Sequence, residues 1–357
     1  MDKSPYRKAN PKSLERFASQ ALQKAGVDTE DADRAAEMIV DADLRGIDTH
    51  GVMNLRRYYV QKVKNGIINA APSIKTIQGS PTTAVMDGDN GLGFIVGHAA
   101  MRKAIGMAGE FGSGWVSVRN SNHCGAGSYY VLMAVKENML GMHFSSGGTS
   151  VAGPGGIGRL IGNNVIALAA PAGAYPPFVL DMAPAMSIAN KAHLLAWNNE
   201  KLPEGYVIDG DGNPVTDPEG YFNPLSAVLP LGSSVTHGAH KGFGLLLLTD
   251  IVTGLLSGDG GSMLRKKGAE SHAFCALRIE AFSPLPEFKK LMDEMIEKIH
   301  SAKVQKGRDK IRYPGERADS CYRERSAHGI PLHPKVAEDL SEMSAALGLC
   351  LDDIWEK

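Results

Sequence analysis

Several large functional classes need features that this sequence lacks. There is no excess of positive charge: 38 Lys and Arg stand against 39 Asp and Glu, a formal net charge of −1. A protein that tracks nucleic-acid phosphates carries a basic surplus or stripe, so nucleic acid is not an expected partner. Cysteine is scarce. Cys124, Cys275, Cys321 and Cys350 are widely spaced, with no CxxC pair. That excludes a disulfide framework or zinc knuckle and suits free thiols in a reducing cytoplasm, with no metal expected. Long apolar runs are missing too. Residues 165–177 are broken by proline and glycine, and 242–256 contains Asp250, so neither reads as a bilayer span. The opening MDKSPYRKAN shows no apolar signal core, and no secretory signal is expected. HExxH, GxSxG and Walker A strings are absent as well, which removes the motif support for zinc-protease, serine-hydrolase and P-loop chemistry.

What is present points to a folded α/β chain. Hydrophobic residues make up 43% of the 357 and charged residues 22%, enough for a sizeable core. Glycine, at 41 residues, is high for a helical bundle and implies many tight turns. Periodicity and caps predict helices over 11–24, 29–46 and 50–64. Strands are expected at 82–87, 115–118, 142–146, 165–170, 178–181 and 272–282. Further helices are expected over 97–110, 129–139, 286–302 and 334–347, with a buried helix at 242–256. The organisation read from this is a central α/β part, residues 76–284, and a helical part formed by 1–75 with 285–357.

Gly153, Gly155 and Gly158 spell GxGxxG, but Pro154 sits inside the string and no helix of useful length fits before Phe178. A Rossmann loop needs a strand before the glycines and a helix directly after them, so a glycine-rich turn between strands is the reading here. Asp209, Asp211 and Asn213 begin like a calcium loop without its closing Glu and read as a hairpin turn. Two histidines keep more suggestive company. On a regular helix His50, Asn54, Arg57 and Tyr58 share one face, with Thr49 as cap. An imidazole, a guanidinium and a phenol on one stripe suit proton transfer and carboxylate binding, and equally a solvated helix face. His123 and Cys124 lie in a small, polar turn between strand and helix, where binding residues concentrate in α/β proteins. His240 and Lys241 open an apolar helix whose N-terminus suits an anion. Gly315, Glu316 and Arg317 form a charged turn.

In order along the chain, THGVMNLRRY (49–58), VRNSNHCGAGSYY (118–130), GPGG (153–156), IGNN (161–164), VLDMAPA (179–185), LPEGYVIDGDGNPVTDP (202–218), HKGFGLLLLTDIVTGLLSG (240–258) and PGER (314–317) resemble the malate/L-lactate dehydrogenase family of non-Rossmann type. The resemblance implies an oxidoreductase, dependent on NAD or NADP, acting on 2-hydroxy or 2-oxo acids or related imino acids. It implies a large, mostly antiparallel mixed sheet and a homodimer. His50 and His123 match the family's two candidate acid/base histidines, with His123 favoured. Asp181 matches an Asp that orients a histidine or lines the nucleotide site, and Tyr58 a substrate-side tyrosine. Ser145, Ser146, Met182, Ala183, Lys241 and Gly315 to Arg317 match nucleotide contacts. Thr49 for Ser and Val165 for Pro are departures too, the first of them mild; the one that matters is Asn54, which stands where the family reads Arg, its expected carboxylate anchor, and Asn supplies neither the charge nor the paired donors. Arg57 is the candidate replacement. The alternative is an altered member that binds nucleotide or metabolite, or acts on an atypical substrate.

Overall fold

Local chemistry sets the first two helices. Asn10 caps Pro11–Ala25 by accepting from the Ser13 N–H, Pro11 occupies the first turn, and Gly26 ends the helix at φ 109°. Asp28 caps Thr29–Leu44 in the same way. The computed structural model describes residues 6–265 and 269–356.

The third predicted helix is not regular. Asp48–His50 and Val52–Asn54 are separate 3₁₀ turns, Leu55–Val60 is a π turn, and only Gln61–Lys64 is α-helical. The cause is the buried carboxylate of Asp43. It accepts from the Val52 N–H at 2.8 Å and lies so close to Gly51 that a Cβ there would overlap it. The chain must step around this group, so the one-face stripe of His50, Asn54, Arg57 and Tyr58 does not form. Burial, reinforced by Asp48, pushes the Asp43 pKa well above the usual carboxylate range.

A seven-stranded sheet forms the centre, in the order Lys75–Gly79, Thr83–Asp87, Ser113–Ser121, Glu270–Arg278, Met139–Ser146, Val165–Ala170, Phe178–Met182. Among the described residues only the second and third of these pair in parallel, and the helix Gly93–Phe111 makes their crossover. The remaining neighbours are antiparallel, so the mixed, non-Rossmann expectation holds. The glycine string 153–158 is a turn between Thr149–Val151 and Ile161–Gly162 in a second, four-stranded sheet. Both chain ends close onto the large sheet. Arg7–Ala9 pairs with Ile330–Leu332, and one core joins Leu14, Ile39 and Leu55 to Val116 and Phe274 and to Leu340 and Ile354.

The segment expected to be a buried helix is buried on one side only. Ala239–Asp250 continues into the π turn Ile251–Leu255. Thr249, Asp250, Thr253 and Ser257 face inward, while Leu245, Leu248, Ile251, Leu255 and Leu256 are exposed. Leu246 packs inward with Phe243 and Leu247, but the rest of the inner side is polar and a row of leucines lies outside, unlike an ordinary surface helix. Asp250 explains the inward side: it accepts from Ser146 Oγ, Asn164 Nδ2 and both the N–H and hydroxyl of Ser262.

The Gly51 contact is testable. Gly51→Ala is expected to destabilise the fold by about 1–3 kcal/mol, the cost of overpacking a filled site, measured by urea unfolding against the wild type.

Candidate functional site

A cavity of about 700 Å³ lies between the irregular 48–58 segment, the turn after Ser113–Ser121, the ends of the central strands and the helix Ala189–Trp197. Thr49, His50, Tyr58 and His123 line it. The His50 and His123 rings stack with centroids 5.7 Å apart and planes 21° apart, and the Tyr58 ring is 5.7 Å from His123. Thr49 Oγ1 lies 2.9 Å from His50 Nδ1.

The layer behind these rings fixes their orientation. Tyr59 is fully buried, and its hydroxyl lies 2.7 Å from His123 Nδ1. Burial raises the Tyr59 pKa, so it stays a phenol. Asn54 is buried and absent from the cavity lining. Its Nδ2 donates to Thr49 O at 2.9 Å, its Oδ1 accepts from Asn190 Nδ2 at 2.8 Å, and it hydrogen-bonds the Tyr59 hydroxyl. Asn54 therefore supports the group that holds His123. Arg57 is also outside the lining, its guanidinium 5.8 Å from the centre of the Tyr58 ring. Lys191 and Arg317 are the cations that line the cavity among the described residues.

The other candidates separate into two groups. Asp181, Met182, Ala183 and Ser145 line the cavity with Arg317. Asp181 Oδ2 accepts from the Ser128 N–H at 2.8 Å, in the first turn of the helix Gly127–Lys136, where a carboxylate is favoured by the helix dipole. Ser146 is buried behind the cavity on Asp250. His240 and Lys241 are exposed on the apolar helix, away from the lining. Gly315 and Glu316 are also outside it. Gly315 takes φ 97° where a Cβ would press on the Val179 backbone, and Glu316 pairs with His300 and Lys310. That turn starts the helix Glu316–His328, whose first turn brings Arg317 to the cavity.

Sequence reasoning missed several features, Tyr59 behind His123 among them. Asn190 and Lys191 come from a helix that had no cap signal. Glu270, on the lining, has its pKa raised by burial to about 7. Cys124, His143 and His272 converge from the turn after Ser113–Ser121 and two strands, with their nitrogen and sulfur atoms all within 4.8 Å of one another. Their spacing in sequence carries no signal; strand register aligns the two histidines and the turn brings the thiol to them.

The electrostatics favour neutral rings. Burial lowers the pKa of His50 to about 4. It lowers His123 to about 3, with charge repulsion from the neighbouring His50 and the Lys62 ammonium adding to the shift. The cavity also holds two polar atoms without a partner among the described residues, Ser150 Oγ and Asn163 Oδ1. Buried polar atoms rarely go unsatisfied, so this wall suits a polar ligand.

The family model for malate/L-lactate dehydrogenase matches residues 9–341. The chain is 41% identical over 339 residues to malate dehydrogenase of Pyrococcus horikoshii, covering 93% of each chain. It is 34% identical over 353 residues to L-sulfolactate dehydrogenase of Methanocaldococcus jannaschii, covering 97% of this chain and 99% of the relative. The crystal structure of malate dehydrogenase from Entamoeba histolytica superposes with a TM-score of 0.93 at 29% identity, over 97% of this chain and 99% of that one.

The histidine shifts predict a titration. Between pH 8 and about 5.5 the ring resonances of His50 and His123 should stay flat in NMR spectra of the ligand-free protein. An unperturbed imidazole changes charge in this interval, and midpoints there for these two would refute their enclosure.

Proposed function

Because the chain belongs to the malate/L-lactate dehydrogenase family, a family of oxidoreductases, we propose that it interconverts a small 2-hydroxy acid and its 2-oxo acid with NAD or NADP, His123 carrying the proton. The facing pair of His50 and His123 over one cavity carries this reading. The dinucleotide, when bound, supplies or accepts the hydride at nicotinamide C4. We assign its binding chiefly to the 76–284 part, with the helical part formed by 1–75 and 285–357 contributing Arg317. Ser145, Asp181, Met182, Ala183 and Arg317 are its lining contacts, and the unpartnered Ser150 and Asn163 oxygens support a polar ligand there. Ser146, Gly315 and Glu316 act from behind as positioning residues.

The protein's task is then to place the acid and move one proton. Nδ1 of His123 is engaged by Tyr59, which leaves Nε2 for the substrate oxygen. The Tyr59 hydroxyl both donates and accepts, so it satisfies Nδ1 whichever ring nitrogen holds the proton. With its proton on Nδ1 the neutral ring presents a bare Nε2 that takes the hydroxyl proton, and the resulting imidazolium presents Nε2–H to a carbonyl oxygen in the reverse direction. His50, held by Thr49, and Tyr58 flank the same space and orient the substrate. Lys191 and Arg317 provide the positive charge that Asn54 does not. An anionic ligand raises the proton affinity of a neighbouring imidazole, so His123 becomes a stronger base once the acid is bound.

The exposed leucine face of 239–256 supports a homodimer, since an apolar patch over a largely polar inner face suits burial against a second copy. The free thiols, two of them buried, suit a cytoplasmic setting.

Two experiments test this. In single-turnover assays with NAD(H), NADP(H) and a panel of hydroxy and oxo acids, His123→Ala is expected to slow hydride transfer by about 10²–10⁴-fold, the usual range for a general acid–base, and His50→Ala by less. Near-normal rates in both variants would overturn the mechanism. Leu248→Glu with Leu255→Glu should convert a dimer to a monomer by sedimentation; a monomeric wild type would remove the dimer.

A further inference from the structure

Three buried groups beside the cavity have no part in hydride transfer. His143 lies on Met139–Ser146 and His272 on Glu270–Arg278. The register opposes Ser145 to His272 and His143 to Phe274, so both imidazoles stand on one face of the sheet. Cys124 reaches the same place from the turn after Ser113–Ser121. Its Sγ is 3.7 Å from His143 Nε2 and 3.8 Å from His272 Nδ1.

Ring protonation follows from the partners on the far side. His143 Nδ1 lies 3.2 Å from the Ala273 carbonyl. A carbonyl only accepts, so the proton is on Nδ1 and the Nε2 lone pair faces the sulfur. His272 Nε2 lies 3.1 Å from the Asn122 carbonyl. By the same argument its Nδ1 lone pair faces the sulfur, with Ser145 Oγ beside it at 2.9 Å. Two imidazole lone pairs therefore converge on one thiol: the S–H can serve His143 Nε2, while the Ser145 hydroxyl donates to His272 Nδ1. A ring N–H donated to a backbone carbonyl, with the other nitrogen aimed inward, is the arrangement that orients metal-binding histidines. The spacing fits as well. Zn–S near 2.3 Å and Zn–N near 2.0–2.1 Å at tetrahedral angles put sulfur and nitrogen about 3.6 Å apart.

The site is also held rigidly. The His143 ring stacks on Phe274 at 4.6 Å and tilts against Tyr130 at 5.1 Å. Tyr130 donates to the Cys124 carbonyl at 2.7 Å, fixing the backbone that carries the thiol. Cys124, His143 and Ser145 all line the cavity, which gives an ion an entry path.

We propose that Cys124, His143 and His272 form a three-ligand site for a zinc-class divalent cation, with the remaining coordination position open to the cavity. The thiolate and two imidazoles select zinc or cobalt over magnesium or calcium, which prefer oxygen donors. Binding exchanges one proton for the ion: the Cys124 S–H bond is lost, an S–metal bond forms, and the proton leaves through the cavity. The Ser145 hydroxyl is then free to turn from His272 Nδ1 toward the thiolate. The site stands on its own residues and does not rest on the dehydrogenase reading.

The test is spectroscopic, so it stays separate from activity. The metal-stripped full-length protein is titrated with Co(II). One equivalent should develop a thiolate-to-cobalt charge-transfer band together with the strong visible absorption of a tetrahedral site, and Zn(II) should bleach both. Cys124→Ser should abolish the charge-transfer band. His143→Gln, a second variant in case the first does not fold, should weaken Co(II) binding about tenfold or more. No band at one equivalent in the wild type, a band that survives Cys124→Ser, or unchanged affinity in a folded His143→Gln would overturn the site and leave only a hydrogen-bonded cluster.

Discussion

The arrangement of the cavity depends on one buried carboxylate. Asp43 occupies the space a side chain at Gly51 would need and takes the Val52 N–H. A continuous helix through 50–64 would put His50, Asn54 and Tyr58 on one stripe. Breaking it into 3₁₀ and π turns lets His50 and Tyr58 face the cavity while Asn54 and Tyr59 turn behind it. The C-terminal part secures the same point: Arg325 donates to the Asp43 carbonyl and to the Asp48 carboxylate. The helix that carries Arg325 also delivers Arg317 to the cavity. One local contact thus ties the two ends of the chain to one wall of the site.

Much of the fold was legible because local rules decided it. Asn10, Asp28 and Gly26 mark helix ends by capping chemistry, and Val165–Ala170 reads as a strand from its short apolar run between glycines and prolines. The GPGGIG turn was legible for a negative reason, since no helix fits after it. On a regular helix Asn54 falls on the face of His50 and Tyr58, toward the substrate. Its actual direction is set by Asp43, Asn190 and Tyr59, which are distant or differently placed once the helix breaks. Cys124, His143 and His272 were illegible as a group because strand register and a turn, and no spacing rule, bring them together. The apolar run at 242–256 was legible as helix but not in its orientation; periodicity reports that a face is apolar, not what covers it.

Charge is handled locally throughout. Almost equal numbers of acids and bases leave the chain near neutrality, yet the cavity has Lys191 and Arg317 on its lining and rings kept neutral by enclosure. His143 and His272 are lowered to about 3 by the same burial. Enclosure that keeps imidazoles neutral preserves their lone pairs, the property that both proton acceptance and metal coordination require.

The leucine-faced helix has a consequence for how the protein behaves on dilution. Its inner side, through Asp250, clamps Ser146, Asn164 and Ser262 at the edge of the site, while its outer side spreads leucines into solvent. Water against those leucines is unfavourable, and any surface that covers them is linked by mass action to the clamp beneath. In the proposed homodimer a second copy is that surface, so protein concentration would act as a stabilising ligand for this helix, and the midpoint of thermal unfolding would depend on how much protein is in the tube.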